Sequence, residues 1–145
     1  RADPSAALAD LKPLMGPLEL LAFIRQAREV PVASHVLDYM ACLVEATHPK
    51  GRIAVVDQFV RSGASPRGAL GLRDAGRALA LLRGMDHVSA QLVRELAPAV
   101  LGHRLILGYE ARAEGVDAGR ILETVMASVP DHPTGVATLL ATGQG

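Results

Sequence analysis

The chain has 145 residues, enough for one compact domain with a real core, and half of them are hydrophobic. That half is mainly Ala, Leu and Val, with two Phe, two Tyr and no Trp, a mix suited to helix–helix packing. A formal net charge of zero argues against general nucleic-acid binding, which leans on a basic excess. The single cysteine, Cys42, excludes an internal disulfide. No apolar run approaches the ~20 residues of a membrane span, and no signal peptide is visible.

Asp3-Pro4-Ser5 reads as a helix start, with a brief helix to Lys12 and a break at Pro13 and Gly16. From Pro17 to Glu29, Leu20, Leu21, Ile24 and Ala27 recur at helical spacing, and Val30-Pro31 ends the element. Ser34 to Thr47 is the next helix, with Val36, Leu37, Met40, Leu43 and Val44 as its apolar stripe. His48-Pro49-Lys50-Gly51 is a stop and turn. The apolar run Ile53 to Val60 fits either a strand or an extended linker.

Gly63-Ala64-Ser65-Pro66-Arg67 opens a central helix that runs to Gly84. The Ser65 side chain is placed to cap it, and Pro66 suits the first helical position. Arg67 then lies near the positive end of the helix dipole, where a cation is locally unfavourable. From the residues alone it either meets an anion such as a nucleotide phosphate or is a solvated surface arginine, the commoner case for so short a motif. Leu72, Ala75, Leu79 and Leu82 are assigned to the apolar face, and Asp74 is spaced to pair with Arg77. The internal Gly68, Gly71 and Gly76 each cost about 1 kcal/mol in helix propensity, which calls for a closely packed neighbour or mobility. Gly84 is placed as the C′ glycine.

Ser89 caps the following helix, which carries Leu92, Val93, Leu96 and Val100 inward and which Pro98 is expected to kink or split. Arg104 to Leu107 reads as a short strand or a turn. Asp117 caps the last helix, with Ile121, Leu122, Val125 and Met126 inward and Pro130 closing it. The expected organisation is an all-α compact helical bundle with one or two very short strands. A connecting segment with a short helix spans 1–16, the bundle spans 17–130, and a disordered tail spans 131–145.

No Gly-x-x-x-x-Gly-Lys-Ser/Thr loop occurs, so this chain alone cannot cradle nucleotide phosphates in the usual way. Ile53-Ala54-Val55-Val56-Asp57 superficially resembles a strand ending in a magnesium-binding aspartate. Gln58 follows it in place of an acid, and the run is read as an apolar segment meeting a turn. Glu45-x-x-His48 has the spacing of helical di-iron sites, which need a second pair and further glutamates that are missing here. His35, His87, His103 and His132 show no ligand spacing, so no metal site is expected. Cys42 lies in a helical pattern and is read as a small core residue.

Gly63-Ala64-Ser65-Pro66-Arg67 resembles the sensor 2 motif of the MoxR family of AAA+ ATPases. The resemblance continues through Arg77-Ala78-Leu79-Ala80-Leu81-Leu82-Arg83-Gly84, His87-Val88-Ser89, Leu96-Ala97-Pro98, Val100 to Leu105 and Tyr109 to Val116. Upstream, Val30 to Thr47 with Leu37-Asp38-Tyr39 fits the preceding lid helix, so most of Pro17 to Val129 is covered. The resemblance implies the C-terminal helical lid of an ATPase, with the nucleotide-binding core upstream; starting at Arg1 instead of Met, the chain is expected to be part of something longer. It implies a sensor 2 role for Arg67 on the γ-phosphate of ATP, in its own or a neighbouring subunit's site, and no catalytic residue within the chain alone. It further implies ATP and Mg2+ in the full-length protein, a cytoplasmic hexameric ring of chaperone type, and a von Willebrand A-domain partner. The family usually carries arginine where His48 stands and alanine where Gly68 stands. The alternatives are a free-standing helical interaction module and, third, a helical metalloenzyme domain.

Overall fold

In a computed structural model of the chain, residues 11–132 are described. Most of the expected helix within 1–16 and the tail from 133 onward lie outside them, and Leu11 to Gly16 carry no helix. Seven α-helices and one two-stranded sheet make up the described residues. They are α1 (Pro17–Glu29), α2 (Ser34–Ala46), α3 (Ala54–Phe59), β1 (Val60–Ser62), α4 (Arg67–Leu82), α5 (Ala90–Leu101), β2 (Ile106–Leu107), α6 (Tyr109–Glu114) and α7 (Ala118–Ser128), with a 3₁₀ turn at Gly102–Arg104. The all-α bundle is as expected from composition and periodicity.

α2, α4, α5 and α7 enclose the core. Tyr39, Met40, Leu43, Leu72, Leu101, Ile121 and Leu122 are all nearly or fully buried, and each such large side chain stabilises the fold by roughly 1.5–3 kcal/mol. Cys42 is buried among them, as a core residue should be. Leu37, assigned to the same stripe, is instead 41% exposed. β1 and β2 pair antiparallel, Val60 opposite Leu107, and a bridge between Val32 and Val88 ties the α1–α2 connection to the start of α5.

Helix ends follow local chemistry. Ser89 Oγ accepts from Leu92 N at 3.2 Å and Asp117 Oδ1 from Arg120 N at 2.9 Å, so both expected caps form. Gly84, at φ +65°, closes α4 in a Schellman motif, with Met85 N donating to Ala80 O at 2.8 Å and Gly84 N to Leu81 O at 3.0 Å. Pro98 does not split α5. It lies exposed in the last turn, where the carbonyl it leaves unbonded can be hydrated.

Three further expectations are corrected. Ile53 to Val60 is neither a linker nor mainly a strand; Ala54–Phe59 is a helix and only Val60 enters β1. The buried face of α4 is Gly68, Leu72, Gly76 and Ala80, and Leu82 is 76% exposed. This face is narrow because neighbours come very close: a Cβ on Gly76 would lie 2.9 Å from Val88 Cγ1, and one on Gly68 2.9 Å from Leu101 Cδ2. Asp74 pairs with Arg73 at 2.9 Å, while Arg77 Nε donates to Val30 O at 3.0 Å. The apolar stripe of α1 exists but is not buried: Leu20, Leu21 and Ile24 are 51%, 48% and 41% exposed. A further helix, α6, gave no periodic signal; it is a single short turn and a half, ended by Gly115 at φ +67°.

Candidate functional site

The segment that leads into α4 is held from behind by the end of α2. Thr47 is fully buried, and its hydroxyl donates to Val44 O at 2.6 Å while accepting from Ala64 N at 2.9 Å. His48 Nε2 meets Ala64 O at 2.9 Å. A carbonyl only accepts, so this contact assigns the ring proton to Nε2. Both backbone polar groups of Ala64 are thus satisfied by side chains sixteen and seventeen residues away. Gly63 is required at the contact, since a Cβ there would lie 2.7 Å from both Thr47 O and Thr47 Oγ1.

Ser65, Pro66 and Arg67 then emerge exposed. The expected Ser65 side-chain cap does not form; the first turn closes through the backbone, with Gly68 N donating to Ser65 O at 2.7 Å. Pro66 has helical dihedrals of φ −52° and ψ −24°, in keeping with its expected place at the helix start. Gly68 packs beneath, between Leu101 and Val44. Arg67 therefore projects from a base that Gly63 holds against Thr47 and Gly68 holds against Leu101 and Val44.

Of the three arginines in α4, Arg73 holds Asp74 and Arg77 holds the Val30 carbonyl. Arg67 makes no ion pair or side-chain hydrogen bond among the described residues. Two arginines on neighbouring elements are engaged as well: Arg83 forks onto Glu95 at 2.7 and 2.5 Å, and Arg94 donates to Tyr39 Oη at 2.9 Å with its guanidinium 5.8 Å from that ring's centre. An unpartnered guanidinium on a rigid base, near a helix start, can meet an oxyanion with little reorganisation.

The other sequence candidates resolve into structural roles. Asp57 accepts from Gly51 N at 2.9 Å, holding the turn before α3. Glu45 pairs with Lys50, whose hydrogen bond holds the Glu45 carboxyl below its usual range. Burial pushes the Cys42 thiol up, with Asp38 and Glu45 adding to it, so Cys42 is a poor nucleophile. Burial likewise raises the Tyr39 phenol, against the hydrogen bond from Arg94. The structure brings the rings of His35 and His132 to 4.9 Å, which spacing could not show. Among the described residues no group of three or more His, Cys, Asp or Glu could hold a metal ion.

Thr47 and His48 are the residues that sequence reading missed as supports of the site. Gly63 was the available signal, because a glycine before a helix-opening proline marks a close backbone approach.

The family model for the AAA lid domain matches residues 52–125. The chain is similar to the chaperone MoxR1 of Mycobacterium tuberculosis, 40% identical over 96 residues, which cover 65% of this chain and 26% of that protein. It is also similar to the uncharacterized protein YeaC of Bacillus subtilis, 30% identical over 129 residues (88% of this chain, 38% of that one), and to the protein MoxR of Paracoccus denitrificans, 36% identical over 75 residues (50% and 22%). The chain thus spans between 22% and 38% of these relatives' lengths. A crystal structure of a candidate ATPase from Cytophaga hutchinsonii superposes with a TM-score of 0.69 at 31% identity, over 78% of this chain and 34% of that one.

Proposed function

The chain belongs to the AAA lid domain family, and on that premise we propose that it is the C-terminal lid of a MoxR-type AAA+ ATPase. In this reading it couples ATP binding and hydrolysis in an upstream core to chaperone-like maturation of partner complexes. The observation that carries it is Arg67, exposed at the start of α4, without a side-chain partner among the described residues and set on a loop fixed by Thr47 and His48.

ATP supplies the γ-phosphoryl group whose transfer to water drives the cycle. Arg67 suits that phosphate end: a guanidinium offers several N–H donors in a planar fork matched to phosphate oxygens. Held there, it stabilises charge that develops on the transferred group and links the nucleotide state to the orientation of the lid. Neither departure from the family's usual residues disturbs this. His48 anchors Ala64, and Gly68 makes room for Leu101. In this reading magnesium falls to the upstream core, and Asp57 serves the turn before α3. The full protein would work as a cytoplasmic hexameric ring, with Arg67 serving its own or a neighbouring subunit's site and a von Willebrand A-domain protein as partner. The isolated chain would not hydrolyse ATP.

The test is Arg67→Ala in the full-length protein. Loss of one preorganised charge donor commonly lowers kcat by about 10²–10³, and a fall of at least about tenfold is expected here, with Arg67→Lys recovering part of it. Because Arg67 is exposed and has no side-chain partner among the described residues, thermal unfolding of the lid should not move. Normal turnover by the alanine variant would remove the sensor assignment.

A second reading, a free-standing helical interaction module, is favoured by the uncovered α1 stripe. An upstream reading frame with a Gly-x-x-x-x-Gly-Lys-Ser/Thr loop decides for the ATPase lid.

A further inference from the structure

The ATPase reading makes no use of the groove between α1 and α4. It is a cavity of about 510 Å³, walled by Ile24, Ala27 and Arg28 from α1 and by Arg73, Asp74 and Arg77 from α4. Three guanidiniums thus face one carboxylate, a local basic excess in a chain whose net charge is zero.

The three differ in what they have to spare. Arg77 is anchored through Nε to Val30 O at 3.0 Å, which leaves both terminal nitrogens as donors already fixed in direction. Arg73 leans on its sequence neighbour Asp74, which is 62% exposed; exposed pairs of this kind contribute at most about 1 kcal/mol and yield readily to a competing carboxylate. Arg28 is exposed and has no side-chain partner among the described residues. Beside the arginines, Ile24 continues along α1 into Leu20 and Leu21, spaced three and four residues away and half exposed.

We infer that this groove docks an acidic segment of another protein, its carboxylates on Arg28, Arg73 and Arg77 and an apolar side chain over Ile24 and Leu20. A small oxyanion would satisfy the guanidiniums and leave the adjoining stripe wet. Nucleic acid is disfavoured by the chain's zero net charge. A segment carrying both chemistries covers both surfaces, the arrangement of an apolar contact with a charged rim found in protein interfaces. The inference is independent of Arg67 and of ATP.

The probe is a synthetic helical peptide with Glu at i and i+4 beside two Leu, titrated into the 145-residue chain. Binding is followed by 15N NMR of the arginine Nε–H and the α1 and α4 amides. The expected result is saturable shifts at Arg28, Arg73 and Arg77, with at least tenfold weaker binding for the same peptide with Gln in place of Glu. Arg28→Glu, at an exposed site without a side-chain partner among the described residues, should weaken binding at least tenfold, and Ile24→Gln should weaken it too. Equal affinity for the Glu and Gln peptides, no effect of Arg28→Glu, or saturation by free citrate as tight as by the peptide would each overturn the proposal. The citrate result would make this a small-anion site.

Discussion

The Thr47 hydroxyl holds Ala64 by accepting from its N–H while donating to Val44 O, all without access to water. Thr47→Val keeps the shape and leaves the Ala64 N–H buried without an acceptor, at a cost of about 1–3 kcal/mol. Urea unfolding of the chain should show that loss, and Thr47→Ser, which retains the hydroxyl, should restore most of it. An unchanged midpoint for Thr47→Val would mean the hydroxyl does not hold the loop. Around this contact the sequence was partly legible. Pro66 and Arg67 announced a helix start and an unusually placed cation, whereas Gly63 carried no reading of its own. The absence of a Ser65 cap was not legible, because a backbone bond from Gly68 N to Ser65 O closes the turn first. Nor could local pattern reveal that His48, seen as part of a stop signal, reaches sixteen residues on to Ala64.

α4 shows how a helix can be recognised and its buried face still be misassigned. Leucine spacing selects Leu72, Ala75, Leu79 and Leu82, whereas packing selects Gly68, Leu72, Gly76 and Ala80. Small residues won because α5 and the Val88 segment approach too closely for larger ones, as the 2.9 Å Cβ contacts at Gly68 and Gly76 show. The close packing that three helical glycines called for is therefore present. Two substitutions separate the registers. Leu72→Ala, at a fully buried site, should cost about 2–5 kcal/mol. Leu82→Ala, at a site 76% exposed, should stay within about 0.5 kcal/mol. Chemical denaturation of both variants measures this, and similar losses from the two would restore the leucine face. Ile53 to Val60 was ambiguous for a different reason: a short, mostly apolar run fits a strand or a buried helical turn equally well by periodicity.

Across the whole molecule, two ionisable groups on α2 are buried in the core with their pKa values raised, Cys42 and Tyr39. A group whose folded pKa lies above its unfolded value stabilises the fold fully below the unfolded value and loses that contribution as pH rises. The chain should therefore keep its melting temperature up to the ordinary thiol range of about 8.5 and lose it progressively through the ordinary phenol range of about 10. Melting curves from pH 7 to 10.5 test this, with Cys42→Ala removing the lower part of the decline; a flat profile would contradict the burial of both groups. At this scale the sequence was legible where an ordered series of segments identified the lid, and the family model over residues 52–125 agrees with it. It was silent on the exposure of α1, because an apolar stripe reads alike whether its own domain or another surface covers it. The central claim is that the fold presents Arg67 to a nucleotide, and steady-state ATP turnover of the full-length protein in a double-mutant cycle of Arg67→Ala with His48→Ala tests it most directly. The account predicts at least about a tenfold fall in kcat for Arg67→Ala, a smaller fall for His48→Ala, and no further loss when the two are combined, since His48 acts through the loop that carries Arg67. Parent-like turnover with Arg67→Ala, or fully additive losses, would contradict it.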